Sequence, residues 1–261
     1  MSAVAARAQA AEWPRFHQTP ARVCGELVYA IGDVHGRYDL FKEMLGRIAA
    51  DAAERAHGRL PMLVMCGDYV DRGPDSARVL TALDWIRRDG RFALHLIKGN
   101  HEAAFLDFLK DPQEGTSWLR FGGDATLRSY GVTPPADFDD AGALVRARDE
   151  LLERMPAAHL RILNVLELMV MVGDYAFVHA GIRPGVPLAR QKAEDLLWIR
   201  GPFLHQTSRF EKRIVHGHSW MEAAPEIYDN RIGLDTGAYE TGVLTAIRIE
   251  DNEVQVLQTG D

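Results

Sequence analysis

The sequence has little cysteine. Cys24 and Cys66 are its only two, and they form no Cys-x-x-Cys pair. Both read as small buried hydrophobes in a reducing compartment, and 261 residues can bury about three-quarters of the unfolded surface without disulfide staples. Long apolar runs are missing too. None approaches the ~20 residues that span a bilayer, and the Ala-rich stretch Met1–Ala11, interrupted by Arg7, lacks the continuous apolar core of a signal peptide. A cytoplasmic protein with no membrane partner is therefore expected. Positive charge is not in excess either. The net charge of −7 argues against a general nucleic-acid or membrane-surface binder, though a local basic pocket stays open. Repeats and low-complexity segments are absent. What remains, 47% apolar and 26% charged, is the composition of an ordinary globular protein.

Residues 1–22 read as a loose tail ending near Thr19-Pro20, and 23–261 as one domain. The run Leu27 to Ile31 predicts a buried strand stopped by Gly32. Apolar residues at 41, 44, 45 and 48 then give helical spacing. Met62 to Cys66 predicts a second strand, followed by a helix from near Pro74 to Arg88. Phe92 to Ile97 predicts a third, with Asn100 able to cap the helix that follows. Three strand–helix units in a row imply parallel pairing. From 111 to about 167 the pattern becomes helical, which predicts an insertion. Strands follow at 168–172, 175–178, 213–215, 231–234, 242–249 and 254–258.

Polar clusters sit at the ends of these strands. They are Gly32-Asp33-Val34-His35-Gly36, Gly67-Asp68-Tyr69-Val70-Asp71-Arg72-Gly73 and Gly99-Asn100-His101-Glu102. Two later strands end at His179 and at His216-Gly217-His218. In parallel sheets, chemistry collects at the carboxyl ends of the strands. Asp, His and Asn without cysteine suit divalent ions such as Mn, Fe, Zn or Mg. One such loop would mean little, since an Asp-x-His in a loop is usually a turn. Five in order, each at a strand end, make a common site the better explanation.

These motifs resemble the phosphoprotein phosphatases, in particular the short bacterial and phage serine/threonine enzymes, within the calcineurin-like metallophosphoesterases. The resemblance covers about residues 27 to 250. It implies an α/β fold, a four-layer αββα sandwich with a helical insertion, and two divalent metal ions, manganese first among them. By resemblance, Asp33 and His35 hold one metal and Asp68 bridges both. Asn100, His179 and His218 hold the other. His218 is preferred to His216 because the family ligand follows a small residue and precedes a polar one. Arg72, Arg200 and Asn100 bind the substrate phosphate. His101 is the general acid, with Asp71 hydrogen-bonded to its other nitrogen. The implied reaction is direct attack of a metal-bridging hydroxide on phosphorus.

The expected substrate is a phosphorylated protein carrying phosphoserine or phosphothreonine. The alternatives are a dinucleoside-tetraphosphate hydrolase, which would be expected to depart from Asp71-Arg72-Gly73 and Glu102, and a non-catalytic phosphatase-like binding module, which would be expected to have lost a ligand. His17, His57, His159 and His205 read as solvated, His95 as packed, and Trp13, Trp85 and Trp118 as packing residues. A substrate-facing role for Gly122-Gly123-Asp124 and a supporting role for the loop Asp235-Thr236-Gly237-Ala238 are left open.

Overall fold

The computed structural model describes residues 20–260. Residues 1–19 of the expected tail, Trp13 and His17 among them, lie outside the described residues. The first strand, β1 (Leu27–Ile31), is followed by α1 (Tyr38–Arg55), β2 (Met62–Met65), α2 (Ser76–Asp89), β3 (Ala93–Leu96) and α3 (Asn100–Lys110). Then come the insertion helices α4 (Asp124–Ser129), α5 (Ala141–Arg154) and α6 (Ala157–Asn164). The second half holds β4 (Met169–Val172), β5 (Tyr175–Val178), α7 (Ala193–Trp198), α8 (Gly201–Leu204), β6 (Arg213–His216), β7 (Glu226–Ile227), β8 (Arg231–Gly233), α9 (Ala238–Thr241), β9 (Thr245–Glu250) and β10 (Glu253–Gln258).

Two five-stranded sheets result, ordered β10-β9-β1-β2-β3 and β4-β5-β6-β8-β7. In the first, β1, β2 and β3 are parallel, and β9 returns antiparallel against β1. In the second, β5, β6 and β8 are parallel, with β4 and β7 antiparallel at the edges. Both sheets thus present several carboxyl ends along one edge.

The alternation within β1 explains the layering. Leu27, Tyr29 and Ile31 join the apolar cluster of α1, α2 and the insertion. Val28 and Ala30 join a second cluster with Val170, Phe177, Val215 and Ile232 of the facing sheet. A strand buried on both faces reads as a continuous apolar run, which is why its sequence shows no polar alternation. A third cluster packs Ala176, Val178 and Ile214 against Leu196 and Phe203 of α7 and α8. The order of layers is therefore helix, sheet, sheet, helix, as expected. Among the described residues no helix is long and apolar enough to cross a membrane.

Some local expectations are corrected. Cys24 is exposed, whereas Cys66 is buried. Trp85 is 51% exposed and does not fill a core. His159 is buried, with Nδ1 2.7 Å from the Tyr130 hydroxyl and Nε2 3.0 Å from Thr81 Oγ1. Gly99, not Asn100, stands at the start of α3, and the Glu102 carboxylate accepts its N–H at 2.9 Å.

Candidate metal centre

The five strand-end loops converge on Asp68. The donor atoms of His35, Asp68 and His101 lie within 4.8 Å of one another, as do those of Asp68, His179 and His218, so Asp68 belongs to both groups. All five side chains are buried. Asn100 completes the second group, since its Oδ1 lies 2.8 Å from both His179 Nε2 and His218 Nδ1. His216 turns away. Its Nδ1 lies 2.9 Å from Gly217 O, and its Nε2 faces Arg231.

Asp33 stands at the edge, outside the two tight groups. Its Oδ2 accepts the His218 N–H at 2.9 Å, and its Oδ1 has no hydrogen-bond partner. The latter oxygen sits where a Cβ on residue 217 would be, so glycine is needed there for close approach. Five residues of the site, His35, Asp68, Asp71, Arg72 and His218, have positive φ. Non-glycine residues rarely do, and such strain collects where function over-determines the backbone.

Hydrogen bonds decide where the imidazole lone pairs point. His35 Nδ1 lies 2.9 Å from Val70 O, and His179 Nδ1 lies 2.8 Å from Cys66 O. A carbonyl accepts only, so each Nδ1 carries the proton and each Nε2 presents a lone pair. Those lone pairs face Asp68 at 3.5 and 3.4 Å. Burial keeps both rings neutral. It lowers His35 to about 3 against the pull of Asp68, and lowers His179 likewise. It also takes His218 down to about 2, with His179 adding to the effect. Burial alone would raise Asp68, but imidazole charge beside it, with His101 the ring that stays protonated, takes it below the usual carboxylate range. Acceptors thus face acceptors, and His218 Nε2 and Asp33 Oδ1 are orphaned. Burial, Asp235 and Asp68 together push Asp33 well above its ordinary value. Hard or borderline divalent cations fit the donor set of this concentration of lone pairs and negative charge.

Beside the cluster stand donors. His101 Nδ1 lies 2.7 Å from Asp71 Oδ2. Burial lowers the His101 pKa, but Asp68 and Asp71 outweigh it and raise it to about 9. Arg72 Nη2 is 3.2 Å from His101 Nε2, and its guanidinium lies 4.5 Å over the Tyr239 ring. Arg200 Nη1 lies 3.3 Å from Ser219 Oγ, close enough for its charge to depress both His179 and His218.

Several contributors escaped the sequence reading. Trp118 is a packing residue, as expected, but its Nε1 also donates to Asp71 Oδ2 at 2.8 Å. Thr126 donates to Asp71 Oδ1 at 2.7 Å. Tyr239 packs against His35 with ring centroids 5.3 Å apart. Nothing in the spacing signals these contacts, since Trp118 and Thr126 follow Asp71 by 47 and 55 residues. Asp235 stands beside the site. It is buried, lies within the field of Asp33 and Asp68, and is raised to about 6, mainly by burial. Gly122 faces Arg72 instead of open space. Its carbonyl accepts the Arg72 N–H at 3.1 Å, and a Cβ there would strike Arg72. An apolar hollow of about 480 Å³ lies between α1 and α2, but none of its lining residues stands in the five loops.

Two facing sheets whose strand ends gather histidine–carboxylate groups on one shared aspartate fit a metal-dependent hydrolase. The chain belongs to the calcineurin-like phosphoesterase family, whose pattern matches residues 27–256. It is 25% identical to serine/threonine-protein phosphatase 2 of Escherichia coli, over 85% of this chain and 93% of that relative. It is 26% identical to a symmetrical bis(5'-nucleosyl)-tetraphosphatase of Nitrosospira multiformis, over 89% of this chain and 96% of the relative. Its fold is shared with a cold-active protein-tyrosine phosphatase of a psychrophilic Shewanella species. That similarity has a TM-score of 0.55 at 19% identity, over 89% of this chain and 80% of the other.

Proposed function

We propose that the chain is a phosphomonoesterase acting on phosphoserine and phosphothreonine in proteins. The observation that carries this is the His101–Asp71 pair, buried beside the shared Asp68 and 3.2 Å from the Arg72 guanidinium. In this reading a proton donor and a phosphate-binding cation stand at the same edge of a metal-capable cluster.

In this reading Asp33, His35 and Asp68 hold one divalent cation, and Asp68, Asn100, His179 and His218 hold the second. Manganese is the first choice, with iron, zinc and magnesium compatible with the same donors. When bound, the pair supplies positive charge that polarises a phosphate ester and activates water. The protein's own residues do the rest. Arg72 and Arg200 hold phosphate oxygens, for which a guanidinium fork is well matched, and Asn100 faces the same phosphate. His101 gives its Nε2 proton to the leaving oxygen, and Asp71 holds the ring in the orientation that points Nε2 at it.

Two features support a protein substrate. Asp71-Arg72-Gly73 and Asn100-His101-Glu102 are of the protein-phosphatase type, and relatives of similar length carry that name. A dinucleoside-tetraphosphate hydrolase is the second reading, favoured by the name of the Nitrosospira relative. The test is side-by-side turnover by manganese-loaded protein of a phosphoserine or phosphothreonine peptide and of diadenosine tetraphosphate. Faster release of phosphate from the peptide is expected. Cleavage of the dinucleotide with the peptide untouched would overturn the assignment.

A further inference from the structure

We propose that the helical insertion is part of the proton-delivery apparatus, with Trp118 and Thr126 acting as positioning residues for the His101–Asp71 pair. This rests on His101 being the proton donor.

Asp71 is fully buried, and its contacts define one orientation. Oδ2 accepts from His101 Nδ1 at 2.7 Å and from Trp118 Nε1 at 2.8 Å. Oδ1 accepts the Thr126 hydroxyl at 2.7 Å. The Asp71 backbone N–H is itself shared between Ser76 Oγ at 3.0 Å and Thr126 Oγ1 at 2.9 Å. Two of the three side-chain donors to this carboxylate thus come from the segment inserted between α3 and α5. Only His101 comes from the strand-end loops common to the rest of the site.

The packing shows that the arrangement is held as one piece. Trp118 stacks on Phe105 at 4.7 Å between ring centroids and leans on Phe108 at 4.8 Å. Both phenylalanines belong to α3, the helix whose second residue is His101. Trp118 therefore takes its place from the helix that carries the acid and passes it on to the carboxylate that orients the acid. A buried indole N–H needs an acceptor, and an aspartate oxygen shared by two donors has little freedom to rotate. Without Trp118 and Thr126, the carboxylate would lose both donors that fix its plane, and His101 Nε2 would be aimed less well at the leaving oxygen.

The test compares two aromatic monoesters on the same preparation of each variant. Phenyl phosphate needs a proton on its leaving oxygen, whereas 2,4-dinitrophenyl phosphate does not. The ratio of their kcat/KM values does not depend on the fraction of protein correctly folded. Trp118→Phe keeps an aromatic ring against Phe105 and Phe108 but removes the N–H donor together with one ring of the indole, and the substrate ratio separates the lost donor from the lost packing. The substitution is expected to lower the phenyl phosphate rate by about tenfold, a part of the 10²–10⁴ attributed to a positioned acid, and the dinitrophenyl rate by less than about twofold. Thr126→Val, nearly isosteric, should shift the ratio in the same direction. In a His101→Asn background, where no acid remains to be positioned, Trp118→Phe should leave the ratio unchanged. If His101→Asn shifts the ratio but Trp118→Phe and Thr126→Val lower both substrates equally, the insertion is only packing and the proposal is overturned. If His101→Asn itself leaves the ratio intact, the proton-donor reading fails, and this inference with it.

Discussion

Glu102 is the residue on which the geometry of two loops turns. Its Oε2 accepts the N–H of Asp68 at 2.9 Å and of Gly99 at 2.9 Å, and its Oε1 accepts those of Tyr69 at 2.7 Å and Val70 at 3.3 Å. Every lone pair meets a backbone donor, which leaves no place for a proton on either oxygen. Burial first, and the charge of Asp68 after it, raise its pKa to about 8 in spite of the N–H donors of Tyr69 and Gly99, which pull it down. A cation on Asp68 would remove the second of the upward causes. Glu102→Gln keeps the shape but turns one oxygen into an NH₂ group facing two N–H donors. Hydrogen bonds to a charged group contribute roughly 1.5–3 kcal/mol each, so losing two of them costs about 3–6 kcal/mol. That is a large share of a typical domain stability of about 5–15 kcal/mol. Urea unfolding of the two proteins in excess chelator at about pH 9, where Glu102 is ionised without help from a metal, measures the difference without a metal contribution. A loss below about 1 kcal/mol would refute the reasoning, because it would mean that Glu102 already carries a proton and organises neither loop.

Three further outcomes are expected. His101→Asn should retain metal but slow an ester with a poor leaving group by about 10²-fold or more, the scale of lost acid catalysis; parallel loss of metal content and activity would contradict this. Asp71→Asn should move the basic limb of the pH–rate profile to lower pH. Asp71 helps raise His101 to about 9, so the ring is protonated below that pH and loses its proton as pH rises through it. Removing the negative partner lets the proton leave sooner, and a profile that moves alkaline or stays in place would contradict the pairing. Asp68→Asn should reduce bound metal, counted by elemental analysis, toward one ion or none, because the shared donor of both groups loses its charge.

The parts of the site that were legible in the sequence are those with local punctuation. Asp33, His35, Asp68, Asn100, His179 and His218 each follow an apolar run and stand beside glycine or a small residue, so a strand end could be read for each. The contacts that orient them were not legible, because they join distant segments without periodicity. The partners of His159, Tyr130 and Thr81, lie 29 and 78 residues away, and no polar flank announces that they bury it. Trp85 lies on the face of α2 opposite Val79, Leu80, Leu83 and Ile86, yet tryptophan alone suggests a core. The strand β7 has two residues, too few to show a period of two, and is defined only by its pairing with β8.

The two halves of the centre differ in what holds them. The metal-capable half is assembled from strand ends, and its acceptors crowd together with His101, Arg72 and Arg200 as the positive charges beside them. The donor half is fixed by a complete network, in which Asp71 has partners for both oxygens and its N–H. A cluster of acceptors suited to cations beside a donor network with every partner in place is the arrangement expected when the proton donor must be aimed before the substrate arrives. Because the donor network is anchored by the insertion, a change in that segment can alter proton delivery without touching any metal-capable residue. Members of one fold that share the strand-end loops can then differ in chemistry through residues the motifs do not contain.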